Sequence, residues 1–385
     1  NVTADVSEAT TTATTVVANL SAFGAGNVTL KDTKGDGVYN ATVDVDASGV
    51  PDGTHAVTIA ATDGAGNDGV NTTQALALDT TAPTVLNRSV SDATDGNGTV
   101  GDGHRVTVRA NVTDATAVAS VTANLSAFGN GSSVALTHVG GTAYQTTVVV
   151  NATSATTDGN HSVTVTVWDN QSHSGNATTG DLTLDTSAPA ITDVSLSDDG
   201  DGVVNGGDDV TVTAEVSDAT SGVASVTANL SRFGAGENVS LGYVSGTTYE
   251  ATVPVTEGSA ATDGDHTANV TVTDDAGNVA ANDTSALTLD TTAPSLSNLS
   301  VTDDGNGAVD GGDDIDVTAT LTDANAGNAS VTANLSQFGA GIVTLADGDD
   351  DGDYQGTGTV TEADAESDGN YTVTLTATDA TGNER

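Results

Sequence analysis

Apolar and polar residues alternate along most of this chain. In the stretch V-T-A-N-L-S, Val121, Ala123 and Leu125 fall on one side and Thr122, Asn124 and Ser126 on the other, which is the period of two expected of a half-buried β-strand. No part of the chain carries a helical period over a useful length. Around residues 190–290 the alternation predicts seven short strands, at about 191–196, 210–216, 224–230, 239–244, 249–255, 266–273 and 285–290. Aspartate- and glycine-rich turns separate them, and seven such strands in about 105 residues predict an antiparallel β-sandwich.

The pattern recurs. The string A-N-L-S-x-F-G occurs four times, with its phenylalanines at Phe23, Phe128, Phe233 and Phe338, 105 residues apart, and Tyr39, Tyr144, Tyr249 and Tyr354 keep the same step. A third landmark, L-x-L-D-T-[TS]-A-P, ends at Pro83, Pro189 and Pro294; a fourth, D-G-x-[HY], ends at His55, His161, His266 and Tyr371. Self-similarity at a fixed step marks a tandem array. The expected organisation is four sandwiches, at residues 1–82, 83–188, 189–293 and 294–385. The first begins near its second strand and the fourth stops before its L-x-L-D strand. Either the chain is a window of a longer array, or a neighbouring subunit supplies the missing strands by β-augmentation.

Charge narrows the possible partners. The 385 residues include 53 acidic and 7 basic side chains, a net charge of −46, which repels nucleic acid and anionic lipid. The acidic residues lie between regular strands, so the excess predicts a folded surface that holds water and cations in brine, not disorder. The absence of cysteine removes disulfide and thiolate-metal chemistry. No apolar run is long enough to cross a bilayer as a helix.

The run D-G-N-Y-T-V-T-L-T-A-T-D-A-T-G-N, residues 368–383, resembles the sixth strand and following loop of bacterial and archaeal immunoglobulin-like repeats. Its D-G-x-Y resembles the tyrosine corner of that fold. The resemblance extends over the chain copy by copy and implies tandem immunoglobulin-like domains of a haloarchaeal cell-surface glycoprotein. Three copies carry histidine in place of the tyrosine, so the corner hydrogen bond is an open question there.

Of 28 asparagines, 22 lie in N-x-[ST], against about seven expected from the serine and threonine content. An acceptor asparagine must face solvent. The recurrent sites are Asn19, Asn124, Asn229 and Asn334; Asn27, Asn40, Asn111, Asn151, Asn269 and Asn370 are further candidates. N-linked glycans imply passage across a membrane. The alternative is that asparagine and threonine simply suit turns and edges in a threonine-rich chain.

Two loops between first and second strands, 198–209 and 303–314, carry aspartates at two-residue spacing among glycines. Asp198, Asp199, Asp201, Asp303 and Asp304 there are candidate ligands for a hard cation such as Ca²⁺. In a head-to-tail array Asp263 and Asp290 of the third copy would meet Asp323 and Asp379 of the fourth. Repulsion at such a junction calls for a structural Ca²⁺ or a diffuse Na⁺/K⁺ cloud. Ordinary Asp/Gly turn chemistry would explain the same loops without an ion.

The six histidines do not cluster as metal ligands, since His55, His161 and His266 share one repeat position and His104, His138 and His173 are singletons, so structural roles are expected of them; no hydrolase, zinc-protease, P-loop or dinucleotide fingerprint occurs. The expectation is therefore a structural protein, not an enzyme. It would self-assemble into a surface filament, sheath or S-layer, four units making a rod on the order of 150 Å. An adhesin stalk is the alternative, as are the spacer repeats of a secreted enzyme or viral fibre.

Overall fold

The computed structural model describes residues 1–10, 12–155, 157–200, 202–256, 262–305, 307–323, 329–361 and 369–385. Among these residues the chain is all-β, with four single-turn 3₁₀ helices at Ser21–Phe23, Ser126–Phe128, Ser231–Phe233 and Ser336–Phe338. It divides into two compact units, Asn1–Thr186 and Ser187–Arg385. Each unit contains two separate apolar cores, centred on Val16 and Leu20 and on Leu125 and Phe128 in the first, and on Leu230 and Phe233 and on Leu335 and Val317 in the second.

The second core of the first unit illustrates the architecture. One sheet runs in the order Thr137–Gly140, Ala143–Val149, Arg105–Thr113, Thr84–Asp92; the facing sheet runs Thr99–Val100, Ser174–Leu184, Gly159–Asp169, Val118–Ala123, Val134–Ala135. All pairings are antiparallel except Thr99–Val100, which lies parallel to the end of Ser174–Leu184. This strand order is that of an immunoglobulin-like sandwich. Alternate residues of Arg105–Thr113 point inward, burying Val106, Val108, Ala110 and Val112. Each buried Val or Leu contributes about 1.5–3 kcal/mol, so many small aliphatic contacts replace the large aromatic core of bigger domains.

The repeated A-N-L-S-x-F-G string has a single local structure. Leu125 immediately precedes the turn and is fully buried, Ser126–Phe128 make one 3₁₀ turn, and Gly129 closes it in the left-handed region at φ 76°. The asparagine holds the turn: Asn124 Oδ1 accepts hydrogen bonds from Ser126 N–H (3.1 Å) and Oγ–H (2.7 Å). The same pair of bonds recurs at Asn19, Asn229 and Asn334. Phe128 then meets His161 edge-on, ring centroids 6.1 Å apart, and Phe23–His55, Phe233–His266 and Phe338–Tyr371 repeat the contact. The histidines do fill the corner. His55, His161 and His266 each place Nε2 within 3.0 Å or less of a backbone carbonyl four residues upstream, the bond a corner tyrosine makes through its hydroxyl.

In the second unit the strands expected near 191–196, 210–216, 224–230 and 249–255 are Ala190–Asp198, Asp209–Ser217, Val223–Asn229 and Thr248–Pro254. The segment read as one strand at 239–244 is two. Val239–Ser240 pairs with Val223–Asn229 and Gly242–Ser245 with Thr248–Pro254, so the chain changes sheets at buried Leu241. Val279–Asp283 is a strand that sequence reading misses, because it is mostly exposed and shows no alternation. In the first repeat, among the described residues, the strand Val2–Asp5 pairs with Val38–Ala41 in a two-stranded sheet where the second repeat has four strands.

A Cβ built on Gly129 would lie 2.2 Å from the carbonyl oxygen of Asn151, at a φ that disfavours any other residue. Gly129→Ala is therefore expected to destabilise its sandwich by about 1–3 kcal/mol, read as a lowered melting temperature. Gly131→Ala, which meets only ordinary van der Waals contacts, is expected to leave it nearly unchanged.

Candidate cation-binding joints between repeats

Three repeat positions place acidic side chains where one sandwich hands over to the next: the aspartate of L-x-L-D, the first residue of the loop after the second strand, and the aspartate ending the sixth strand. In the second unit these are Asp290, Asp323 and Asp379. Asp290 follows the strand Leu287–Leu289 and is 0 % exposed. Neither of its carboxylate oxygens has a hydrogen-bond partner. Its acidity records the strain: burial first, then the charges of Asp379, Asp323 and Asp263, push its pKa up from 3.8 to about 6.

The surrounding groups are held in place. Burial works against ionised Asp379, yet the Thr381 hydroxyl, the Asn383 side-chain amide and the main-chain N–H groups of both outweigh it and keep the carboxyl below its ordinary range. Asn383 Nδ2 donates to Asp379 Oδ2 and to the main-chain carbonyl of Asp290, 3.0 Å each, tying the last loop to the linker. Asn205 Nδ2 donates to the Thr381 carbonyl from the other side. Burial also opposes ionised Asp263, but N–H and hydroxyl donors of Thr291 and Thr292 outweigh it; Thr291 N–H lies 2.8 Å from Asp263 Oδ1. Asp290 thus lacks the donors that its neighbours Asp379 and Asp263 have, a deficit that a cation with several oxygen ligands would satisfy.

The turn aspartates behave differently. Asp198 Oδ2 accepts the N–H groups of Gly200 (2.9 Å) and Gly202 (3.1 Å), and Asp303 Oδ2 those of Gly305 (3.1 Å) and Gly307 (3.0 Å). Asp199 Oδ1 accepts Asp209 N–H at 3.0 Å, and Asp304 Oδ1 accepts Asp314 N–H at 3.4 Å. These carboxylates close their own loops, while Val204 of the 198–209 loop accepts the Asp290 N–H at 2.8 Å. Asp201 lies outside the described residues.

The first unit contains the counterpart joint, built from Asp79, Asp114 and Asp169, none of which was singled out from the sequence. Asp79 is 7 % exposed, and its Oδ1 has no hydrogen-bond partner. The hydroxyl of Thr116 donates to Asp79 Oδ2 and lies 3.1 Å from Asp114 Oδ1. The L-x-L-D repeat carried the signal, since Asp79 stands in it as Asp290 does.

Of the candidate glycan acceptors, Asn19, Asn27, Asn40, Asn124, Asn151, Asn229, Asn269, Asn334 and Asn370 are exposed, whereas Asn111 is half-buried. The side-chain amide of Asn269 donates to Asp283 Oδ1 at 2.7 Å. Asn151 Oδ1 accepts from its own Thr153, like the four asparagines of the repeated turn.

No protein-family model and no curated protein sequence matches the chain. Among solved structures it is similar to a Ca²⁺-stabilised adhesin with which an Antarctic bacterium binds ice, at 21 % identity and TM-score 0.49 over 99 % of this chain and 89 % of the other. It is also similar to a tetra-tandem repeat from the extending region of a large adhesion protein, at 23 % identity and TM-score 0.30 over 96 % and 88 % of the two chains. A third likeness is to the I67–I69 fragment of titin, at 10 % identity and TM-score 0.36 over 78 % and 95 %. What the class shares is tandem sandwich architecture; the chemistry of the present joints comes from their own residues.

With divalent ions chelated, the joint around Asp290 is expected to be more stable at pH 4 than at pH 7. The folded state binds the Asp290 proton more tightly, about 6 against 3.8, so stability falls as pH rises between those values and stays low above them. Asp290→Asn is expected to flatten that part of the melting-temperature profile.

Proposed function

We propose that this chain is an extracellular spacer, the stalk of a cell-surface adhesin, in which bound calcium stiffens the joints between successive immunoglobulin-like sandwiches. The observation that carries the reading is the pair of buried, unpartnered Asp290 oxygens facing Asp323 and Asp379. A fold has no use for so costly an arrangement unless a cation completes it. Flexible, all-oxygen ligation suits Ca²⁺ better than Mg²⁺, which sheds its water reluctantly. With only 7 Lys and Arg against 53 Asp and Glu, the chain has few cations of its own to offer.

The stalk reading is preferred to a filament, sheath or S-layer subunit on electrostatic grounds. A net charge of −46 opposes close lateral packing of copies, whereas a spacer gains solubility from it. A haloarchaeal source, where abundant Na⁺ and K⁺ screen that charge, fits the same composition. Exposed asparagines in the repeated N-L-S turn support N-glycosylation, because the 3₁₀ turn presents each one to solvent with its Oδ1 already engaged by the sequon serine.

Calcium is expected to raise the melting temperature of the whole chain, by the equivalent of about 2.7 kcal/mol at a hundredfold excess over Kd. The rise should shrink in Asp290→Asn. A wild-type melting curve that calcium leaves unmoved, in a buffer already freed of divalent ions, would remove the reading. Peptide mass spectrometry of protein from its natural source tests the glycans at Asn19, Asn124, Asn229 and Asn334.

A further inference from the structure

The joint in the first unit differs from the one around Asp290 at one position. Four residues after the aspartate that ends the sixth strand, the second unit has Asn383, and an earlier copy has Asn278; the first unit has His173. Asn383 can only donate through its side-chain nitrogen, and it does so to Asp379 and to the Asp290 carbonyl. An imidazole nitrogen carries a lone pair. His173 keeps the local fold, since its N–H still donates to Asp169 Oδ1 at 2.9 Å, as Asn383 N–H does to Asp379. Its ring nitrogen Nδ1 lies 2.8 Å from Asp169 Oδ2.

We infer that the joint between the first and second repeats is a transition-metal site, with Asp79, Asp169 and a ring nitrogen of His173 as ligands. One ligand atom from each of the three lies within 4.8 Å of the others. Asp79 and Asp169 are more than nine-tenths buried, and Asp79 Oδ1 has no partner. One imidazole and two carboxylates form a donor set for Zn²⁺ and its neighbours, whereas a nitrogen ligand is foreign to Ca²⁺. If Nδ1 is the ligand, the metal displaces the proton shared with Asp169; if Nε2 is, that hydrogen bond orients the ring. One chain would then have joints of two chemistries, a mixed nitrogen-oxygen site and an all-oxygen site. The inference rests on the reading that these joints hold cations, and adds which cation the first one selects.

The chain's single tryptophan, Trp168, immediately precedes Asp169, so its fluorescence reports on this joint. The test titrates the full chain with Co²⁺, which quenches nearby indole, in saturating Ca²⁺. Saturable quenching is expected, and His173→Asn should weaken it at least tenfold. That variant reproduces the residue found at Asn278 and Asn383, so folding is expected to be preserved. Asp79→Asn should weaken Co²⁺ binding as well, and Zn²⁺ should compete with Co²⁺. Equal quenching curves for wild type and His173→Asn, or no quenching in the wild type, would overturn the inference. The calcium-dependent melting shift of His173→Asn separates the two readings. A retained shift beside unchanged Co²⁺ binding refutes only the transition-metal site, and a shift absent from both proteins refutes the calcium joint.

Discussion

Negative charge confined between sandwiches is the constraint around which the rest of this molecule is arranged. A carboxylate removed from water must be neutralised, hydrogen-bonded or protonated. Both Asp290 oxygens are buried and like charges lie beside it, so protonation is one relief the chain itself can supply. That a protein with so few basic side chains concentrates acids at its linkers makes sense when the missing partner comes from the medium.

The sandwiches satisfy the opposite requirement, since they must stay folded whatever the ions do. Their cores are built from Val, Leu and Ala, with Ile315 in the fourth copy, and each copy's Phe packs in or against them. The N-L-S-x-F-G string combines several tasks in six residues: the leucine and phenylalanine fill the core, the glycine turns the chain, and the asparagine holds the turn while remaining exposed. The same economy explains why His55, His161 and His266, one in each of the first three copies, share one structural place. Each closes its corner through a backbone carbonyl and lies edge-on to the phenylalanine of the same copy.

Acidic residues in this chain divide into two kinds by what their oxygens meet. Those of the glycine-rich turns, such as Asp198 and Asp303, are half-buried and accept N–H groups from their own loop. Asp79 and Asp290 of the linkers are buried and have carboxylate oxygens that no donor reaches. Sequence spacing drew attention to both, because alternation of Asp and Gly is the same signal for a tight turn and for a cation loop. Burial separates the two.

The fold class, the four copies and most strand positions were legible in the sequence because a half-buried strand must alternate every two residues and a tandem array must repeat its landmarks. The meeting of Asp263, Asp290, Asp323 and Asp379 was legible too, from the assumption of copies joined end to end. Three things were decided only in three dimensions: the change of sheet at Leu241, the exposed strand Val279–Asp283, and the cluster of Asp79, Asp169 and His173. Strand pairing and ligand convergence join residues far apart along the chain. Local pattern constrains which face a residue takes, whereas only packing settles which other residue that face will meet.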